Sequence, residues 1–337
     1  MKNFTIILNY LQKMKKKNKE GIILIYVLGF TLAITTLLLV VHYKVEQFMD
    51  EFTNNTEFIQ MENLAEVGYS IGTNLLESDQ NSYDWYGESW RKDIEIDTEK
   101  YKIKVKITDE DGKININKVI GEKGEINTLL LQILKSVFTI SGYSDSMVDC
   151  LLDWIDEDEL PRSSGAESTF YKMSGYPYVP PNRTLYSIEE ITLIKDFNKE
   201  IIYGKSKEQN EEDKETNNEE EMKKGLINFI STISDDKINV NTCEWEILNS
   251  MGYTEVNIDQ IMDQRDRGPL SENYLLEINR EVTLNNKRVI KYKSSNFSMN
   301  VSVENIENKK IRNFKFFVFR DEKRGMKLIR KEKIWEN

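Results

Sequence analysis

The sequence predicts an α+β protein: a long apolar N-terminal helix, then a small antiparallel sheet into which a large α-helical subdomain is inserted. Three observations predict it. Ile22 to Val41 (IILIYVLGFTLAITTLLLVV) is an unbroken run of twenty uncharged residues. Tyr101, Ile103, Val105 and Ile107 alternate with Lys102, Lys104 and Lys106, the strict period of two that marks a strand with one wet face. Helical patterning with loops follows from Asn127 to Phe197 and resumes, past a polar run, to about Asn279, before alternating segments return as FSMNVSVENI, IRNFKFFVFR and MKLIRKEKI. Strand, helical block, strands is the order of a helical subdomain inserted into a sheet.

At a rise of about 1.5 Å per residue, the apolar run matches a hydrocarbon core of about 30 Å. The chain carries a net charge of −11, yet Lys2, Lys13, Lys15, Lys16, Lys17 and Lys19 stand against Glu20 alone at its start, so the body is more acidic still. Lysines before the run, with no excess immediately after it, orient the chain with a cytoplasmic N-terminus and an external C-terminal body, anchored in the cell (inner) membrane by a single pass through lipid. A cleaved secretory signal would have a shorter apolar core and a small-residue cleavage site, whereas here the run ends in Val40, Val41, His42 and Tyr43. A plain signal anchor fits the hydropathy as well as a processed one.

Past the membrane the helical pattern continues through Phe58, Met61, Leu64, Ala65, Ile71 and Leu75. Gly68 and Gly72 weaken it, each costing about 1 kcal/mol relative to Ala in a helix. Residues 93–108 read as one strand-like stretch, closed by Asp109 to Gly112 (DEDG) as a turn. An EF-hand loop with Gly112 sixth would put Ile107 first and Lys118 twelfth, where carboxylates belong. Residues 204–224 (GKSKEQNEEDKETNNEEEMKK) are almost purely polar and read as a disordered acidic surface insertion. The helical block carries an internal repeat. Gly142-Tyr143-Ser144-Asp145 through Asp149, Asp153 and Asp156 aligns with Gly252-Tyr253-Thr254-Glu255 through Asp259, Asp263 and Asp266, and each copy follows an Asn-aliphatic-Asn at 115–117 or 239–241. Two related helix-turn-helix units follow from it.

The densest carboxylate group is Asp153, Asp156, Glu157, Asp158 and Glu159, followed by Glu167. If a helix ends near Trp154, Asp153 and Asp156 share a face and the loop can fold Asp158 and Glu167 back towards them. Converging carboxylates need a cation between them, and irregular loop geometry suits calcium better than magnesium. The plain alternative is a solvated acidic helix end. His42, the sole histidine, lies at the membrane boundary, which removes Ser-His and Cys-His nucleophile pairs and His-bearing zinc sites from the outer body. No catalytic residue is assigned, and the chain is not expected to be an enzyme. Cys150 and Cys243 could bridge, but read more simply as small buried apolar residues.

Four features resemble the minor pseudopilin K family of type II secretion systems and the matching minor pilins of type IV pili. They are Lys19-Glu20-Gly21 before Ile22; Asp111-Gly112-Lys113-Ile114-Asn115-Ile116-Asn117; Leu152-Asp153-Trp154-Ile155-Asp156-Glu157-Asp158 with Pro161-Arg162, Gly165-Ala166-Glu167, Tyr171 and Asn182-Arg183; and Ile238-Asn239-Val240-Asn241-Thr242. The resemblance implies a pilin-like fold and the division 1–21 leader, 22–41 transmembrane segment, 42–112 pilin helix and first strands, 113–283 inserted helical subdomain, 284–337 C-terminal strands. It also implies cleavage between Gly21 and Ile22 by a prepilin peptidase, assembly by an inner-membrane platform, and other minor pilins bundled along the N-terminal helix. The place it implies is the tip of the filament, initiating or capping assembly. Ordinary pilins carry Glu at the fifth mature residue to pair with the subunit above; here that position is Tyr26, which fits a tip subunit. Calcium held by Asp153, Asp156, Asp158 and Glu167 is a family expectation, although Ser168 stands where the family often has Asp. The Lys-, Asn- and Ile-rich composition shades the choice towards a type IV pilus.

Residues 240–278 also resemble the helix-hairpin-helix modules of membrane-anchored DNA-uptake receptors. That alternative is opposed by Glu244, Glu246, Glu255, Asp259 and Asp263 around the hairpin, since phosphate binding calls for clustered basic groups.

Overall fold

The computed structural model describes residues 2–121, 123–204, 223–321 and 323–334. The polar run at 204–224 therefore lies, but for its ends, outside the described residues. The chain divides into two compact units, Met1–Asn63 and Leu64–Asn337.

The first unit consists of helix α1, which spans Lys2–Ser78 and so runs on into the second unit. From Ile22 it is long and apolar enough to cross a membrane, and its apolar side chains between Ile22 and Phe52 are exposed. The threonine hydroxyls of the apolar run bond within the helix: Thr31, Thr35 and Thr36 donate to the carbonyls of Leu28, Thr31 and Leu32 at 2.9, 2.7 and 2.8 Å, as a helix in hydrocarbon requires.

In the second unit the pleated signal becomes a five-stranded antiparallel sheet. The expected single stretch at 93–108 is instead a hairpin, β1 (Ile94–Asp97) and β2 (Tyr101–Asp109), because Thr98 accepts the Tyr101 N–H on its hydroxyl at 2.9 Å and turns the chain. The sheet is completed after the helical block by β7 (Asn296–Asn305), β8 (Ile311–Asp321) and β9 (Gly325–Ile334), in the order β1-β2-β7-β8-β9. As the alternation predicts, Tyr101, Ile103, Val105 and Ile107 are buried.

The C-terminal turns of α1 pack on this face through Ala65, Gly68, Gly72 and Leu76, spaced at three and four. The glycines that weaken the helix in the sequence are its contact face. A Cβ on Gly68 would stand 2.7 Å from Val301 Cγ1, and one on Gly72 2.7 Å from Met299 Sδ. Only glycine lets the helix axis come this close, which outweighs its propensity cost. Tyr69 stacks on Phe316 with ring centroids 4.9 Å apart.

Between β2 and β7 lies the helical block. Its first part holds the short strand β3 (Ile114–Asn115), α2 (Thr128–Ile140), α3 (Met147–Ile155), α4 (Ser168–Met173) and α5 (Lys199–Tyr203). Its second part holds β4 (Ile230–Ser231), β5 (Ile238–Asn239), α6 (Trp245–Ser250), α7 (Glu255–Arg267), α8 (Glu272–Ile278), α9 (Arg280–Asn286) and β6 (Ile290–Lys291). The helices thus run past the expected limit at 283. The repeat has a physical counterpart. Asn115 and Asn239 each accept the N–H two residues on, from Asn117 at 2.9 Å and Asn241 at 3.0 Å. Gly142 and Gly252 both take positive φ, 77° and 100°, and the next residues, Tyr143 and Tyr253, close the preceding helix on Phe138 O and Leu248 O at 2.8 and 3.3 Å. The same glycine cap ends α2 and α6, and these two helices pack on each other.

The DEDG turn joins block to sheet. Asp109, Glu110 and Asp111 are all buried. Asp109 Oδ2 accepts from Asn239 Nδ2 (3.0 Å), Thr242 Oγ1 (2.6 Å) and Ser294 Oγ (2.6 Å). Asp111 accepts from Lys291 Nζ (2.5 Å), the backbone N–H groups of Asp235 (2.8 Å), Ser295 (2.7 Å) and Asn296 (3.1 Å), and Asn296 Nδ2 (2.9 Å). A Cβ on Gly112 would meet Thr242 Oγ1 at 2.8 Å and its backbone at 3.0 Å.

Burial, reinforced by the Asp111 charge, pushes the Asp109 carboxyl up to about 6, with neutral donors on its Oδ2. Its folded pKa therefore exceeds its unfolded one, so the stability it confers is complete below about pH 4 and is lost as pH rises through about 6, at roughly 1.4 kcal/mol per unit. In urea unfolding of the detergent-solubilised chain, the advantage of wild type over Asp109→Asn should shrink between pH 4 and 6; an advantage that grows with pH contradicts this assignment.

Candidate metal centre

Helix α3 ends where Asp156 leaves helical geometry, its N–H still bonded to Leu152 O at 2.9 Å. Asp153 lies one turn back on the same face. The loop that follows returns to start α4, with Glu167 as the residue before its first turn. Trp154 fixes the two helices against each other: its ring meets Tyr171 edge-on at 5.5 Å and Tyr178 at 6.1 Å, and its Nε1 donates to Glu190 Oε1 at 3.1 Å.

This brings Asp153, Asp156 and Glu167 together, all buried, with one oxygen of each within 4.8 Å of the others. Both Glu167 oxygens and Asp156 Oδ1 are buried without a hydrogen-bond partner. Burial first, then the charges of Asp153, Asp156, Glu159 and Asp158, push the Glu167 carboxyl up to about 8; burial likewise raises Asp156, against the pull of Arg162. Among the described residues the cation bonded to these carboxylates is Arg162, whose Nη1 donates to Asp153 Oδ1 at 2.7 Å and to Asp156 Oδ2. The Arg162 N–H also reaches Asp153 Oδ2 at 3.1 Å. Gly165 is required here, because any Cβ would run into Asp153 Oδ2.

The fourth expected ligand, Asp158, stands outside this set: its side chain is exposed and accepts the Leu160 N–H at 2.8 Å. Ser168, at the position where an acid is expected, donates its hydroxyl to Glu159 Oε1 at 2.9 Å. The donor chemistry, carboxylate oxygens with unpartnered buried lone pairs, fits a hard divalent cation such as calcium, with carbonyl or water oxygens to complete its shell. Asp156 and Arg162 also form part of the wall of a cleft of about 1110 Å³ that includes Asn117, Asn182 and Arg183.

A second carboxylate group, Asp79, Asp84 and Glu88, escaped the sequence reading because its partner is distant in the chain. Arg320 Nη2 lies 2.8 Å from Asp84 Oδ1 and 3.7 Å from Asp79 Oδ2, so this group already holds its cation. Cys150 and Cys243 are free and buried; burial pushes the Cys150 thiol up to about 11, as expected of apolar packing residues. In the second helix pair Arg265 is buried, donating to Cys243 O at 2.8 Å and to Val240 O, and is thus spent on the fold.

Residues 112–204, which contain the whole carboxylate group, match the family model for the type II secretion system (T2SS) protein K, first domain. Over this segment the chain is similar to the protein K family. The family named is a component of type II secretion, where composition had inclined the reading to a type IV pilus. No curated protein matches the chain at a significant level. Among solved structures, the crystal structure of the GspK–GspI–GspJ complex from the type 2 secretion system of enterotoxigenic Escherichia coli contains a similar chain, with TM-score 0.63 and 15% identity over 85% of this chain and 100% of that one. At that identity the likeness is one of fold, and it agrees with the α+β architecture of apolar helix, antiparallel sheet and further helices.

Gly165→Ala should destabilise the chain by about 1–3 kcal/mol, because Asp153 is buried and tied to Arg162 and cannot step aside. A thermal melt of the chelator-treated variant with an unchanged midpoint would show that the loop does not approach Asp153 so closely.

Proposed function

We propose that this protein is a minor pseudopilin that sits at the tip of the pseudopilus, where its apolar helix anchors and bundles it and its bulky head, holding calcium, caps or initiates the filament. The observation that carries the reading is the pairing, in one chain, of a protein K domain at 112–204 with an apolar helix of membrane-spanning length from Ile22. Prepilin peptidase removes residues 1–21 between Gly21 and Ile22, lipid holds the helix with the head outside the inner membrane, and the inner-membrane platform feeds it into the filament. Smaller minor pseudopilins, of the kind assembled in the GspK–GspI–GspJ complex, pack along α1. Tyr26 in place of a carboxylate supports the tip position, since a charge without a partner in lipid is costly.

Asp153, Asp156 and Glu167 hold the calcium, which neutralises a carboxylate excess that Arg162 alone leaves unbalanced and so locks the loop between α3 and α4. The head is an interaction module without catalytic residues, and the two repeated helix pairs, similar to helix-hairpin-helix units, serve its architecture. With Arg265 buried and carboxylates around the second hairpin, the DNA-binding alternative loses its support.

N-terminal sequencing of the membrane-extracted protein should begin at Ile22. Saturating calcium should raise its melting temperature, by the equivalent of about 2.7 kcal/mol at a hundredfold excess over Kd, and Asp153→Asn or Glu167→Gln should abolish that rise. Retention of Met1 would remove the filament reading, and an undiminished calcium response in both variants would remove the metal site.

A further inference from the structure

Arg162 does two things that conflict with metal binding. Its Nη1 occupies the space between Asp153 and Asp156, bonded to an oxygen of each, which is where a cation shared by these carboxylates must bind. Yet it leaves both Glu167 oxygens unpartnered, so it neutralises the group only in part. A guanidinium and a divalent cation cannot share this space, since like charges at a few ångströms repel.

Arg162 also has somewhere to go. Its side chain is 24% exposed whereas Asp153 is fully buried, and it lines the cleft of about 1110 Å³ together with Asn117, Asn182 and Arg183. A rotation about its side-chain bonds takes the guanidinium from the carboxylates into that cleft. The neighbouring Arg183 is held elsewhere, 3.2 Å from Glu190, and does not compete for the site.

We propose that Arg162 is a built-in competitor for the cation: it fills the carboxylate site in the metal-free chain and is expelled into the cleft when a divalent cation binds. This rests on the reading of Asp153, Asp156 and Glu167 as the metal site. Arg162 thereby sets the affinity threshold of the site, because the apparent dissociation constant rises as the open fraction falls. Metal loading also adds a positive group to the cleft wall, so that the cleft accepts acidic groups better with calcium than without it.

The test uses the full-length chain in detergent micelles, with calcium chloride as the probe in titration calorimetry. Arg162→Gln should bind calcium about tenfold more tightly than wild type, the factor expected if Arg162 blocks nine sites in ten. Arg183→Gln, which removes a nearby charge that does not touch the carboxylates, should stay within about threefold of wild type, a difference too small to reflect site occupancy. In parallel, phenylglyoxal labelling of the wild-type chain, read by mass spectrometry, should show Arg162 protected without metal and reactive with it; this arm holds even if Arg162→Gln fails to fold. Calcium binding by the variant alone supports the proposal in its strongest form. If wild type binds calcium but Arg162→Gln binds it equally or less tightly, or Arg162 reactivity does not rise, the competitor role is overturned while the metal site stands. If neither chain binds calcium, the metal reading falls and takes this inference with it.

Discussion

The buried turn from Asp109 to Gly112 is the constraint on which the head depends. A sheet interrupted by residues 110–295, which hold the helical block, needs something to hold the two parts in register, and apolar packing alone is non-directional. Asp111 supplies direction: five donors from Asp235, Lys291, Ser295 and Asn296 converge on it, so the last strand before the helical block and the first strand after it share one buried carboxylate. Asp109 does the same for the second repeat through Asn239 and Thr242. Removing one partner from such a network leaves buried polar groups unpaired, which costs more than the bonds themselves are worth.

This frame explains why the carboxylate group at the end of α3 can exist. Asp153, Asp156 and Glu167 crowd like charges into a buried space, an arrangement that works against folding. It is tolerated because α3 and α4 are fixed against each other by the aromatic contacts of Trp154 and by its hydrogen bond to Glu190. Strain of this kind is what a cation relieves, and Arg162 is its partial substitute within the chain.

Much of the fold was legible because it is local. Alternation in β2 placed four buried residues correctly, and the repeated Gly-Tyr marked two identical helix caps. The contact face of α1 was misjudged because helix propensity and sheet packing pull glycine in opposite directions, and nothing local says that Val301 and Met299 will lie over Gly68 and Gly72. The DEDG segment was recognisable as a turn, but its burial depends on Lys291 and Asn296, far along the chain. At the candidate site three of four expected carboxylates converge; Asp158 does not, because a local bond to Leu160 competes for it. The occupation of the site by Arg162 is a matter of loop geometry that spacing does not reveal.

The central claim, that one buried turn couples sheet and helical block, is most directly tested by following both parts as the chain unfolds. Trp90, packed at 5.4 Å on Phe297 of the sheet, and Trp154, in the helical block, are buried reporters. With fluorotryptophan incorporated and their resonances followed in urea, wild type should lose both signals in one transition, and Asp111→Ala should separate them while lowering stability by about 3–5 kcal/mol. Coincident transitions in Asp111→Ala at wild-type midpoint would contradict the account.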